Sequence, residues 1–213
     1  MPRMGFDPDV HHRRSIRLSG YNYSQPGAYF LTLCMRDMKS LLGRIADGRM
    51  QLSPVGSIVQ AYWLEIPRHF GHAELDEFVV MPNHLHAILT FDVGAHPVVP
   101  SVVGARHGVP HHPLPLPERF ARPVSGSLAS VLRLFKQAVT KRARDVGARH
   151  GVPLQIWQRN YYEHIIRNEV ELGRIREYIA TNVLRWACDR YNPDCGVLVR
   201  NEADELAPWG DQT

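Results

Sequence analysis

Leu75–Met81 and His84–Phe91 are two strand-length apolar runs separated only by Pro82-Asn83. Proline and asparagine favour a turn, so the two runs read as neighbouring antiparallel strands of a hairpin. The rest of the chain supplies elements to pack with them. Tyr29–Met35 has the β-branched and aromatic content of a buried strand. Ser53-Pro54 reads as an N-cap followed by proline at the first helical position. Val55, Ile58, Val59, Tyr62, Trp63 and Ile66 then recur at helical spacing until Pro67 stops the run. A second helix is expected over Ser127–Arg144, with Leu128, Val131, Leu134, Phe135 and Ala138 turned inward. Ile156–Arg167 holds a fourth strand, centred on Tyr161–Ile166. Asn168 with Glu171 resembles a capping box, which starts a third helix running to about Tyr191, where Asn192-Pro193 ends it. The order is strand, helix, strand, strand, helix, strand, helix. It predicts an α+β domain with a mainly antiparallel sheet and helices packed against it.

At 213 residues the chain is long enough for one sizeable core and short for two. Residues 1–25 read as a basic N-terminal arm, 26–192 as the domain and 193–213 as a tail. From 92 to 126 the chain is rich in proline, glycine and histidine without periodicity, and reads as a long surface loop or insertion. Val103–Pro110 recurs identically as Val146–Pro153, between predicted elements. The spacing is not that of a solenoid. It suggests duplicated DNA inserted where the fold tolerates it, with a binding loop as the alternative.

The apolar runs are too short, and too interrupted by charge, to cross a bilayer, and Met1-Pro2-Arg3-Met4 lacks the apolar core of a signal peptide. The expected compartment is the cytoplasm. Cys34, Cys188 and Cys195 are odd in number and have no paired spacing, which argues against a disulfide framework or a structural zinc site. The formal charge of +4 is a weak hint of a polyanionic partner. Its distribution says more: Arg13, Arg14 and Arg17 cluster near the start, and Lys136, Lys141, Arg142 and Arg144 cluster in the second helix.

The most informative segment for chemistry is Met81-Pro82-Asn83-His84-Leu85-His86-Ala87-Ile88-Leu89. Residues two apart on a strand share a face, so His84 and His86 project together while Leu85 and Ala87 go to the other side. Two adjacent imidazoles repel if both are protonated. A cation taking one nitrogen from each removes that conflict, and imidazole is a common metal ligand.

Pro82–His86 resembles the histidine–hydrophobe–histidine motif of HUH endonucleases. Trp157–Asn168 and Ile175–Asn182 resemble the REP-associated tyrosine transposases, as do the arm over Arg14–Tyr23 and the helix over Ser127–Lys141. The blocks occur in the family's order and span most of Arg13–Tyr191. The resemblance implies a ferredoxin-like sheet with the histidines on a central strand, and cutting and rejoining of single-stranded DNA at hairpin-forming repeats. It implies Mg2+ or Mn2+ as cofactor, and a tyrosine that forms a phosphotyrosine link to the 5′ side of the cut. By position Tyr178 matches that nucleophile, and Asn182 matches the polar residue that completes the metal site. Some relatives work as dimers sharing active sites and others as monomers, so a homodimer stays open. Two features depart from the family. Val183 stands where many members have proline, so the last helix is expected to continue unkinked, and the loop at 92–126 is longer than usual.

The chemistry is consistent with the residues. A phosphodiester resists nucleophiles because its oxygens are charged, and a divalent cation offsets that charge. Tyrosine, with a reference pKa near 10, needs such help. Tyr178 and Asn182 are one turn apart on one helix face, at the edge of the stripe Ile175, Ile179 and Trp186 that should meet the sheet. Tyr161, Tyr162, Glu163 and His164 on the fourth strand are expected to be structural or to support the site. Two other readings remain: a hairpin-binding protein that does not cut, and an unrelated metal hydrolase that carries His-x-His.

Overall fold

The computed structural model describes residues 21–92, 124–147 and 155–195. The arm with Arg13, Arg14 and Arg17, the loop over 93–123, residues 103–110 and 148–153 of the octapeptide copies, and the tail from 196 lie outside the described residues.

The elements are β1 (Gly27–Cys34), β2 (Gly43–Ala46), β3 (Arg49–Leu52), α1 (Pro54–Leu64), α2 (Ile66–His69), β4 (Ala73–Val80), β5 (His84–Phe91), α3 (Leu128–Gly147), β6 (Tyr162–Ile166) and α4 (Glu169–Thr181). The main sheet has the order β4-β5-β1-β6, and every neighbouring pair is antiparallel. It follows that β1 and β4 run parallel with β5 between them, as β5 and β6 do with β1 between them. Helices α1 and α3 make the two crossovers, which is the split βαβ arrangement of ferredoxin-like folds. The expected class is therefore observed: an α+β fold with an antiparallel sheet and helices packed against it.

Alternation along the strands sorts the side chains onto two faces. Tyr29, Leu31 and Leu33 of β1 join Leu85, Ala87 and Leu89 of β5 in the main core. Val59 and Trp63 of α1 and Leu128, Val131, Leu132, Phe135 and Val139 of α3 cover them. Each such fully buried side chain contributes roughly 1.5–3 kcal/mol of apolar transfer free energy. Helix α1 begins as expected, with the Ser53 side chain accepting from Gly56 N at 3.0 Å. Gly56 is required by close approach, since a Cβ there would stand 2.0 Å from the Leu42 carbonyl oxygen. On the opposite face Phe30, Ile88 and Ile166 pack under Ile175 and Ile179 of α4. Strand β5 is central and covered on both sides, which is why its apolar run is nearly continuous.

Four local features differ from the sequence expectations. Leu134 is 45% exposed, while Leu132 and Val139 are buried instead. At about 100° per residue, Leu134 lies roughly a third of a turn from the centre of the stripe those residues define. Pro67 lies inside the short α2 rather than after a continuous helix, because α1 stops at Leu64. The β2–β3 hairpin was not foreseen. Its strands are too short to show a period, though Asp47 (φ 53) and Gly48 (φ 68) form the Asp-Gly turn that favours a tight hairpin. Finally, α4 ends at Thr181 rather than near Tyr191, even with valine in place of proline. Thr181, Asn182 and Val183 are all poor helix formers. The Thr181 hydroxyl bonds back to the Glu177 carbonyl at 2.8 Å, and the chain tightens into i→i+3 bonds from Leu184 N to Thr181 O at 3.1 Å.

Candidate active site between the sheet and helix α4

His84 and His86 lie on the α4 face of β5 and are 0% and 1% exposed. In the register they stand opposite Cys34 and Thr32 of β1. Each ring is held by its Nδ1. His84 Nδ1 is 2.8 Å from Asn83 Oδ1, and His86 Nδ1 is 2.9 Å from Thr32 Oγ1. Asn83 is itself fixed, because its Nδ2 donates to the carbonyls of Met38 at 3.1 Å and Tyr191 at 2.7 Å. Its Oδ1 therefore accepts, so His84 Nδ1 donates and His84 Nε2 presents its lone pair. Such partners on the far nitrogen are what orient histidine as a metal ligand.

The two rings are 4.4 Å apart between centroids. Burial is the main reason both resist protonation: His84 is pushed well below its usual range, with His86 adding to the effect, and His86 is lowered to about 3. Neutral imidazoles are the form that binds a metal. His84 Nε2 is buried and has no hydrogen-bond partner. An orphaned acceptor of this kind fits a bound cation.

A third donor comes from beyond α4. The ligand atoms of His84, His86 and Asp189 all lie within 4.8 Å of one another, so the three could hold a metal ion. Asp189 is 5% exposed. Burial raises its carboxyl pKa, opposed by a hydrogen bond from Tyr191 N, by Asn182 and by the Arg190 charge. Asn182 is buried with its Oδ1 unpartnered, and its side chain bonds to both Tyr178 and Asp189. The Tyr178 hydroxyl sits 3.3 Å from His86 Nε2. Burial raises the Tyr178 pKa, as does the nearby Asp189 charge. The fold thus brings His84, His86, Asn182 and Tyr178 together.

The β6 residues divide by face. Tyr162 lies across from Thr32 on the site face and packs on Phe30 at 6.3 Å, while His164 hydrogen-bonds Glu171 of α4 at 2.6 Å. Glu163 turns to the main core side. Tyr161 lines a separate groove of about 430 Å³ along α3. Arg133, Lys136, Lys141, Arg144 and Arg159 contribute to the groove, with Trp157 among its lining residues. Lys136 is 5.4 Å from the Tyr161 ring centroid and donates to the carbonyls of Gln158 and Asn160; burial lowers its pKa to about 8. Arg142 is exposed and is not part of the groove lining.

The sequence reading missed Asp189, Thr32 and the turn around Tyr191. Thr32 was detectable as the one aliphatic hydroxyl in the strand. Asp189 was hidden by the assumption that the helix continued through it.

No family model matches the sequence. The fold is similar to that of a REP-associated tyrosine transposase whose structure was solved bound to a REP hairpin. The TM-score is 0.51 at 20% identity, over 81% of this chain and 74% of that one. The fold implied by the sequence motifs is thus the fold observed. In sequence, a Haemophilus influenzae protein described as uncharacterized is 38% identical over 193 residues, covering 89% of this chain and 98% of that protein. The chain belongs to the same family as that Haemophilus protein.

Proposed function

We propose that this protein is a metal-dependent transposase-type enzyme that nicks single-stranded DNA at hairpin-forming repeats and rejoins it through a 5′-phosphotyrosine at Tyr178. The observation that carries the reading is the approach of the Tyr178 hydroxyl to 3.3 Å from His86 Nε2, beside the orphaned Nε2 of His84. A tyrosine hydroxyl next to a prospective cation is what an attack on a phosphodiester requires. The likeness of the fold to a transposase bound to a REP hairpin supports the same reading.

His84, His86 and Asn182 are the metal ligands in this reading, with Mg2+ or Mn2+ as the cation. When bound, the cation offsets phosphate charge and favours the ionised phenol. The protein's own residues do the rest. Thr32 and Asn83 hold the imidazoles, Asn182 donates toward the phenol oxygen, and α4 aims it. Attack forms the Tyr178 Oη–P bond and breaks the P–O3′ bond, and the 3′ oxygen leaves as a hydroxyl. The reverse step rejoins strands without another energy source.

The DNA contacts assigned to Lys136 and Lys141 have a physical basis in the α3 groove, where cations and two aromatic rings line one channel. Phosphates meet the cations, and bases can stack on the rings. Arg142, Arg13, Arg14 and Arg17 complete the proposed DNA-binding set. Groove and site lie on opposite faces of edge strand β6, with Tyr161 on one side and Tyr162 on the other. A single strand leaving the groove would round that edge to reach Tyr178.

The test is a denaturing gel of labelled hairpin single strands incubated with protein and Mn2+. Cleavage should be lost on chelation and in His84→Ala or His86→Ala, with DNA binding largely kept. Full cleavage in excess chelator would remove the metal from the mechanism.

A further inference from the structure

Residues 186–192, expected from the sequence to lie in or just beyond the third helix, instead form a turn that closes over the histidine pair. Its own bonds shape it. Asp189 accepts from Tyr191 N at 2.7 Å, and Asn192 Nδ2 donates to the Trp186 carbonyl at 3.0 Å. Other contacts fasten it to β5. Asn83 Nδ2 donates to the Tyr191 carbonyl at 2.7 Å, and the Tyr191 ring lies 4.7 Å from His84 and 5.7 Å from His86 between centroids. The Trp186 ring lies 6.2 Å from His84. This packing carries the Asp189 carboxylate, almost fully buried, to the nitrogens of the two histidines.

We propose that Asp189 is a further protein ligand of the cation, beside His84, His86 and Asn182, and that the 186–192 turn is the closing wall of the metal site. The proposal rests on the metal reading of His84 and His86 and adds to it a carboxylate that no sequence motif predicts. Three observations converge. The Asp189, His84 and His86 ligand atoms lie within 4.8 Å of one another. His84 Nε2 is buried and unpartnered, so the space between them holds an acceptor that lacks a donor or a cation. Buried charges in proteins are paired or bound to metals, and a carboxylate beside two neutral imidazoles has its natural partner in a divalent cation. Oxygen and imidazole donors together suit a cation of the Mn2+ or Mg2+ type that must also accept a phosphate oxygen. Asn182, bonded to both Asp189 and Tyr178, then links the carboxylate to the nucleophile.

The experiment is Mn2+ binding to the full-length protein without DNA, read from the electron paramagnetic resonance signal of free Mn2+. Asp189→Asn keeps the side-chain volume and should weaken Mn2+ binding by more than about tenfold. His84→Gln should weaken it as well. A second variant guards against misfolding. Asp189→Cys exchanges a hard ligand for a soft one, so it should lose Mn2+ affinity and gain Cd2+ affinity, with a new thiolate-to-Cd2+ absorption band. That band is measured against the wild type, which already carries Cys34 across from His84. Mn2+ affinity within twofold of wild type in Asp189→Asn, with binding lost in His84→Gln, would overturn the role of Asp189 and leave the histidine site standing. Unchanged binding in both variants would overturn both readings.

Discussion

His84 and His86 are kept neutral by the same burial that positions them, and this links the site to stability. In metal-free protein both imidazoles have pKa values below the usual 6.5, His86 at about 3. Above pH 6.5 neither the folded nor the unfolded state is protonated there. Below it the unfolded chain takes up protons that the folded site refuses. Stability is therefore lost as pH falls from about 6.5 toward the folded pKa, at about 1.4 kcal/mol per pH unit for each imidazole. Urea unfolding in chelator at pH 7 and pH 5 should show this loss, and His86→Gln should remove one share of it. Equal stability at both pH values would mean that the rings are not held neutral. At this scale the sequence was informative because strand alternation fixes which residues share a face. It said nothing of Asp189, which reaches the histidines only through the fold of a turn far along the chain.

Helix α4 carries Tyr178, the proposed nucleophile, and it is lightly fastened. Beneath it is a small apolar cluster. At one flank the Arg176 guanidinium meets the Asp76 carboxylate with its Nε at 2.9 and 3.2 Å and Nη2 at 2.6 Å, which holds the Asp76 pKa below its usual value. Asp76 sits where the β4–β5 register shifts, so the irregular strand presents it to the helix. Asp76→Asn should cost no more than about 1 kcal/mol, since Arg176 is half exposed. It should nonetheless speed amide exchange along α4 and lower cleavage at saturating DNA. Unchanged exchange would show that the apolar cluster alone seats the helix. Gly173, on the exposed side of α4, has no atom within 4 Å of a built Cβ. Gly173→Ala should stabilise by roughly 1 kcal/mol and raise Tm by about 2–4 °C in calorimetry; no rise would mean that the glycine relieves some strain. Where elements were legible, a cap or a period announced them, as with Ser53 and Asn168. The end of α4 was not, because it depends on three weak helix formers rather than one breaker.

For the whole molecule, the order of elements was enough to suggest the α+β class with an antiparallel sheet, while the ferredoxin-like arrangement followed from the family resemblance. The α3 groove was only partly legible, since it joins one helix to the segment before β6. Neutralising Lys141 and Arg144 together, both in its lining, should reduce the salt dependence of single-strand affinity by roughly 0.7 log units per tenfold salt for each phosphate no longer met by a cation. Arg142→Gln, outside the lining, should change it less. An equal effect would put the DNA along the outer face of the helix.

Tyr178 is the proposed nucleophile, and three other described tyrosines lie close by in sequence or space. Tyr161 belongs to the groove, Tyr162 packs on Phe30, and the Tyr191 hydroxyl is bonded to Thr32 with its pKa raised to about 12. Mass spectrometry of peptides from the trapped protein–DNA adduct separates them most directly. DNA should be attached to the peptide containing Tyr178, and Tyr178→Phe should give no adduct. DNA attached to a peptide containing Tyr161, Tyr162 or Tyr191 instead would contradict that assignment.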